Sequence, residues 1–174
     1  MDINEFLLSN PIFNGFSQAE LDLLAKALMV ERYPNGHVFM KEGQRGDALY
    51  LVLDGKISVT RLNRHDRTVE HLRTMTKGEL FGLIALIDHG KRTATCAADG
   101  EVTAASLPVS AFKLLYHSNA SIAHHFQNLV ARQLARDLRA LNDALLDVLF
   151  GRKQGMSHLP RSVPHEFGEP SGRG

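Results

Sequence analysis

The sequence predicts a mainly β fold with flanking helices, built as a small sandwich or barrel. Three observations carry this reading. Between about Tyr33 and Leu107 glycines recur as punctuation, with short β-branched and aliphatic runs between them. Before and after that stretch, apolar residues recur at helical spacing instead. The 174 residues, 44% apolar and 22% charged, suffice for one domain with its own core.

The N-terminal 30 residues read as helical. Ser17-Gln-Ala-Glu20 fits a capping box, with Phe16 and Leu21 placed to close a hydrophobic staple over it. Leu21, Leu24, Ala25 and Leu28 then mark one helical face. In Ala48–Thr60, Asp54-Gly55 stands between two strand-like segments and predicts a two-residue hairpin turn. A second reversal is expected at Asn63–Arg67, before Thr68–Leu72, and Thr93–Ala98 and Val102–Leu107 read as further short strands.

Helix returns after Pro108. Val109 to about His117 is a short helix, and Ser118 or Asn119 is suited to cap a long one over about 119–150. In that helix Ile122, Phe126 and Leu129 form a stripe expected to cover the β core. Leu134, Leu138, Leu141, Leu145 and Val148 follow a heptad seam, for which a parallel homodimer through residues 134–148 is the economical partner; the alternative is that the seam folds back on its own barrel. The domain reading is therefore 1–118 for the β-roll with its N-terminal helices, 119–150 for the dimer helix, and 151–174 for a Gly- and Pro-rich disordered tail.

Charge and cysteine usage exclude several classes. Twenty Lys and Arg against 19 Asp and Glu give a formal net charge of +1, without the basic excess of a nucleic-acid binder. The one cysteine, Cys96, cannot build a disulfide framework or an all-cysteine metal cluster within one chain. The acidic start and the lack of a long apolar run point to a soluble, cytoplasmic protein with no membrane partner. No Ser-His-Asp set, carboxylate pair or Walker-type loop is present, so an enzyme is not expected. His124 and His125 are adjacent on a helix, where a metal prefers i, i+4, and no metal is expected. Cys96 reads as a small core residue.

The chemistry concentrates in Lys77–Thr95. A strand ends at Leu80–Phe81, Gly82 permits close backbone approach, and Leu83–Asp88 makes about one helical turn whose first amides face outward as an anion site. Arg92 follows on a loop, and its guanidinium facing those amides would hold a phosphate at two points.

This stretch resembles the phosphate-binding cassette of cyclic nucleotide-binding domains, Phe-Gly-Glu-Leu/Ile-Ala-Leu and then Arg-Thr/Ser/Ala-Ala. Tyr33-Pro-Asn-Gly36, Glu42-Gly43 with Gly46-Asp47, and Leu49–Lys56 match the flanking motifs, so that the resemblance covers about residues 10–150. It implies an eight-stranded jelly-roll with flanking helices. It also implies a ligand held by the backbone of Gly82, Leu83, Ile84 and Ala85, with Arg92, Thr93 and Ala94 beside it and Asp137 on the long helix where relatives close over the base. Thr after this Arg is associated in several members with accepting the guanine of cGMP, and bacterial cAMP binders carry Ser or Thr there as well.

One departure changes the expected chemistry. The cassette glutamate that accepts from the ribose hydroxyl is Leu83 here, a loss worth about 1.5–3 kcal/mol, or roughly 10- to 150-fold in affinity. It also leaves Arg92 without its usual carboxylate neighbour, and Lys91 replaces a frequent proline. The expected function is a stand-alone receptor for cAMP or cGMP that signals by conformational change to an effector protein. The alternatives are another anionic messenger such as cyclic di-GMP, or a degenerate, non-binding interaction module. Catabolite-activator-type relatives continue into a DNA-binding domain of some 70 residues; with 22 residues after Arg152, direct DNA binding is not expected.

Overall fold

The computed structural model describes residues 2–154 apart from Arg64 and His89. Two short helices, α1 (Ile3–Ser9) and α2 (Gln18–Ala27), flank a 3-10 turn at Pro11–Phe13. The strands are β1 (Met29–Tyr33), β2 (Val38–Met40), β3 (Ala48–Leu62), β4 (Val69–Met75), β5 (Leu80–Phe81) and β6 (Thr95–Pro108). Helix α3 (Leu83–Ile87) lies between β5 and β6, and α4 (Val109–Ser118) and α5 (Ala120–Gln154) follow. The chain divides into one unit ending at Arg132 and another beginning at Gln133.

The capping box forms at the start of α2: the Glu20 amide donates to Ser17 Oγ, and the Ser17 amide donates to Glu20 Oε2 at 2.7 Å. Strand begins already at Met29, earlier than the helical reading of residues 1–30 expects. Asn119 caps α5 by accepting from the amides of Ser121 and Ile122, both at 3.1 Å.

All strand pairs are antiparallel, in the order β1-β6-β3-β4, with β2 on β6 and β5 on β3. The hairpin expected at Asp54-Gly55 does not form. Both halves of β3 pair with β6, and the register shifts between Val52 and Lys56. Gly55 has φ +87°, and a Cβ there would overlap the Glu101 carbonyl oxygen. A positive φ serves a bulge as well as a turn, so Asp-Gly here bends one long strand instead of ending it. For the same reason the stretches read as separate strands, 93–98 and 102–107, join as β6, and the described residues form six strands where the resemblance implies eight. The reversal at 63–67 does form, between β3 and β4.

The sheet separates two apolar clusters. One, between sheet and helices, gathers Leu7, Leu21, Leu49, Leu51, Leu107, Phe112, Ile122 and Phe126 together with Leu83 and Leu86 of α3. The other fills the inside of the roll, with Phe39, Met40, Val52, Ile57, Val59, Met75 and Cys96. Ile122, Phe126 and Leu129 cover the core as the helical stripe predicts, at 0%, 0% and 8% exposure. In the second unit α5 continues to Gln154, past the expected end at 150. Leu134, Leu138 and Leu145 are exposed there. The side chains of Leu141 and Val148 lie outside the described residues, as do residues 155–174 of the expected tail.

Candidate functional site

Strand β5 sets Tyr50 opposite Phe81 and so fixes where α3 begins. Gly82 takes φ +86° as the residue before α3, and no side chain caps that helix. A Cβ at Gly82 would stand 2.7 Å from Arg92 Nη1 and 2.9 Å from Met40 Cε, so the guanidinium occupies the space that glycine leaves. Gly46 also borders the guanidinium, since a Cβ there would meet Ala85 Cβ at 3.1 Å and Arg92 Cζ at 3.3 Å.

Arg92 is held by backbone as well as side chain. Its amide donates to Gln44 O and its carbonyl accepts from the Gly43 amide, both at 2.8 Å. Arg92 Nη1 donates to the Gly82 carbonyl at 2.7 Å, and Nη2 donates to the Ala48 carbonyl and to Asp47 Oδ1 at 3.2 Å. The residue is 3% exposed, and its buried Nε has no hydrogen-bond partner. A buried donor without an acceptor costs free energy until an acceptor arrives.

Two expectations change. The guanidinium does not stand with both Nη groups open to a phosphate, because backbone carbonyls and Asp47 already use them. It does not lack a carboxylate either, since Asp47 takes that position from a different loop, with its own side chain 79% exposed. Leu83 points into the cluster beneath the helices at 6% exposure, so only its backbone is available to a ligand. Gly82, Ala85 and Arg92 are brought together, Ile84 and Ala94 are half-buried nearby in sequence, and Thr93 is exposed. The Asp137 side chain lies outside the described residues.

Sequence reasoning missed Asp47 as a partner of Arg92, and it missed Arg73. Met40 pairs with Cys96, Cys96 with Val59, and Val59 with Arg73, in one row across β2, β6, β3 and β4. Cross-strand partners share a face, and Met40, Cys96 and Val59 all belong to the inner cluster. Met75, two residues from Arg73 on β4, is buried in that cluster too. Arg73 thus rises from the inner face of the roll, where Met40 at the other end of the row reaches the space beside Arg92. Its Nη1 donates to Glu79 Oε1 at 2.8 Å, and the side chain is 46% exposed. Burial pushes the Cys96 thiol up to about 11, while the Arg73 and Arg92 charges pull it the other way. The readable signal for Arg73 was its alternation with Met75.

Asn128 Nδ2 donates a hydrogen bond to His124 Nε2 at 3.0 Å, and His125 stacks on Phe16. Among the described residues no group of three or more His, Cys, Asp or Glu is placed to hold a metal ion. No helix among them is long and apolar enough to cross a membrane.

Residues 30–119 match the family described as cyclic nucleotide-binding domain. The CRP-like cAMP-activated global transcriptional regulator of Mycobacterium tuberculosis is 32% identical over 149 residues, which is 85% of this chain and 64% of the regulator. The chain thus spans a little under two thirds of that relative's length. The cyclic AMP receptor protein of Thermus thermophilus is 30% identical over 174 residues, covering 94% of this chain and 79% of the receptor. The crystal structure of the Thermus thermophilus catabolite activator protein superposes with a TM-score of 0.66 at 32% identity, over 80% of this chain and 62% of that one.

Proposed function

The chain belongs to the cyclic nucleotide-binding domain family, and we propose that it is a non-enzymatic receptor for a cyclic purine nucleotide, signalling to a partner protein through ligand-dependent change of shape. The observation that carries this reading is the Arg92 guanidinium, buried against the Gly82 carbonyl with its Nε unpartnered. An anionic oxygen there would satisfy the Nε and neutralise a charge that an exposed Asp47 only partly balances. Gly82 through Ala85, Thr93 and Ala94 lie on either side of that position in the chain and complete the proposed ligand set. Two relatives, a cAMP-activated regulator and a cyclic AMP receptor, agree with this class of ligand. The shape change is a population shift, which requires that the ligand bind two conformations unequally.

Arg73 favours cGMP within that class. Glu79 uses its Nη1, and among the described residues its other donors have no protein partner. An arginine fork matches the O6/N7 acceptor pair of guanine, whereas adenine presents an amino donor in place of O6. Discrimination of about 1–3 kcal/mol per such pair predicts cGMP over cAMP by roughly 5- to 150-fold. The exposed leucines of α5, Leu134, Leu138 and Leu145, support dimerisation through residues 134–148.

Calorimetric titration of the protein with cAMP, cGMP and cyclic di-GMP tests both points. Micromolar or tighter binding of a mononucleotide is expected, with the preference for cGMP lost in Arg73→Ala while cAMP affinity stays within threefold. Silence for all three nucleotides from a folded protein overturns the receptor reading and leaves the interaction-module alternative. Equal losses for both mononucleotides in Arg73→Ala overturn only the cGMP preference. Sedimentation of the same sample reads the dimer.

A further inference from the structure

A long, half-exposed arginine samples many rotamers, and freezing it on a ligand costs affinity. The Arg73 side chain is 46% exposed, yet its tip is held, because Nη1 donates to Glu79 Oε1 at 2.8 Å. The other carboxylate oxygen is already committed. Glu79 Oε2 accepts from the Thr76 amide at 2.7 Å and from the Thr76 hydroxyl at 3.4 Å. Backbone therefore orients this carboxylate independently of the guanidinium, unlike an exposed ion pair between two free side chains.

The segment that carries Glu79 is itself fastened. Thr76–Glu79 is a tight turn closed by the Glu79 amide on the Thr76 carbonyl at 3.1 Å, with Gly78 at φ +90°. Two bonds tie it to β3: the Gly78 amide donates to the Val52 carbonyl at 2.8 Å, and the Val52 amide donates to the Glu79 carbonyl at 3.0 Å. Asn10, ahead of the 3-10 turn, donates from Nδ2 to the Gly78 carbonyl at 3.0 Å. The chain then runs through β5 to Gly82, whose carbonyl accepts from Arg92 Nη1. One turn thus sets the start of the cassette and, through Glu79, the tip of Arg73.

We propose that Glu79 is a positioning residue for base selection: it presents the Arg73 guanidinium in the orientation that meets guanine, so that the preference for cGMP depends on a side chain that does not touch the nucleotide. This role rests on the reading of Arg73 as the group that meets guanine. Glu79 occupies Nη1 and leaves Nε and Nη2, which lie along one edge of the planar group as a parallel donor pair suited to O6 and N7. Two effects of removing the carboxylate oppose each other. A further donor is freed and the positive charge is less screened, which favours any acceptor; the arginine must also be ordered by the ligand alone. On a half-exposed group the ordering cost is the larger, so the preference falls.

Calorimetric titration of wild type, Glu79→Gln, Arg73→Ala and the double variant with cGMP and cAMP tests this, alongside NMR relaxation of the unliganded proteins. Glutamine keeps the length of the side chain and an acceptor for the Thr76 amide. Glu79→Gln is expected to lower the cGMP-over-cAMP ratio by roughly 3- to 10-fold, through cGMP affinity, while cAMP affinity stays within about threefold. In the Arg73→Ala background the same substitution changes the ratio by less than about twofold. The Arg73 Nε–Hε vector, assigned by its loss in Arg73→Ala, is ordered in the wild type and mobile in Glu79→Gln. A ratio that holds or rises in Glu79→Gln while Arg73→Ala abolishes it overturns the positioning role and leaves the Arg73 reading intact. An equally ordered vector in both proteins, or equal losses for both nucleotides in Glu79→Gln, overturns it too. A preference that survives Arg73→Ala sinks the Arg73 reading itself, and the role of Glu79 with it.

Discussion

Phe126→Ala is expected to destabilise the protein by about 3–5 kcal/mol, enough to lower its melting temperature by on the order of 10 °C. Phe126 is fully buried and is among the largest side chains that are. It meets Phe112 edge-on at 5.1 Å and Phe16 edge-on at 6.1 Å, so one ring joins α4, α5 and the turn before α2. Truncation removes its transfer free energy and leaves a cavity between three elements that cannot all close on it. A domain of ordinary stability has only about 5–15 kcal/mol in total, so this single change approaches the unfolding threshold. Leu114→Ala provides the contrast. Leu114 is 71% exposed on α4, and its loss should stay within about 0.5 kcal/mol. Thermal or urea denaturation of the two variants side by side measures both, and a loss below about 1 kcal/mol for Phe126→Ala would mean that α5 does not share the core of the roll.

Particular residues explain what the sequence made legible. The Ser17–Glu20 box and the Ile122-Phe126-Leu129 stripe were readable because each depends on spacing within a few turns of one helix. The bend at Asp54-Gly55 was read with the right backbone angle and the wrong topology, since a positive φ is local while the choice of partner strand is not. The cassette was legible as a motif, and Gly82 and Arg92 do meet through the Gly82 carbonyl. Asp47 lies 45 positions from Arg92 in the chain, so spacing could not find it; alternation with Met75 gave the face of Arg73, but which strands share that face follows only from the four-strand register. Leu83 shows a further limit. Its apolar side chain turns to the core beside the helices, a placement that depends on the handedness of Gly82.

Arg92→Ala should abolish cyclic nucleotide binding, lowering affinity by at least about 100-fold. The estimate rests on the charge-assisted hydrogen bond that the unpartnered Nε would give a phosphate, at roughly 1.5–3 kcal/mol, together with loss of the guanidinium charge beside it. Stability falls as well, because the Gly82 and Ala48 carbonyls lose the donors that now satisfy them. Arg92→Lys separates charge from shape: an ammonium keeps the charge but cannot span Gly82, Ala48 and Asp47 as a planar fork does, so affinity should fall between wild type and alanine. Asp47→Asn should change affinity by less than about fivefold, since an ion pair whose carboxylate is 79% exposed is worth at most about 1 kcal/mol. Titration of the three variants with whichever nucleotide the wild type binds distinguishes these roles. Binding by Arg92→Ala within threefold of wild type would remove the guanidinium from the ligand and leave it as a strut between Gly82, at the start of α3, and β3, held there by the two carbonyls and Asp47.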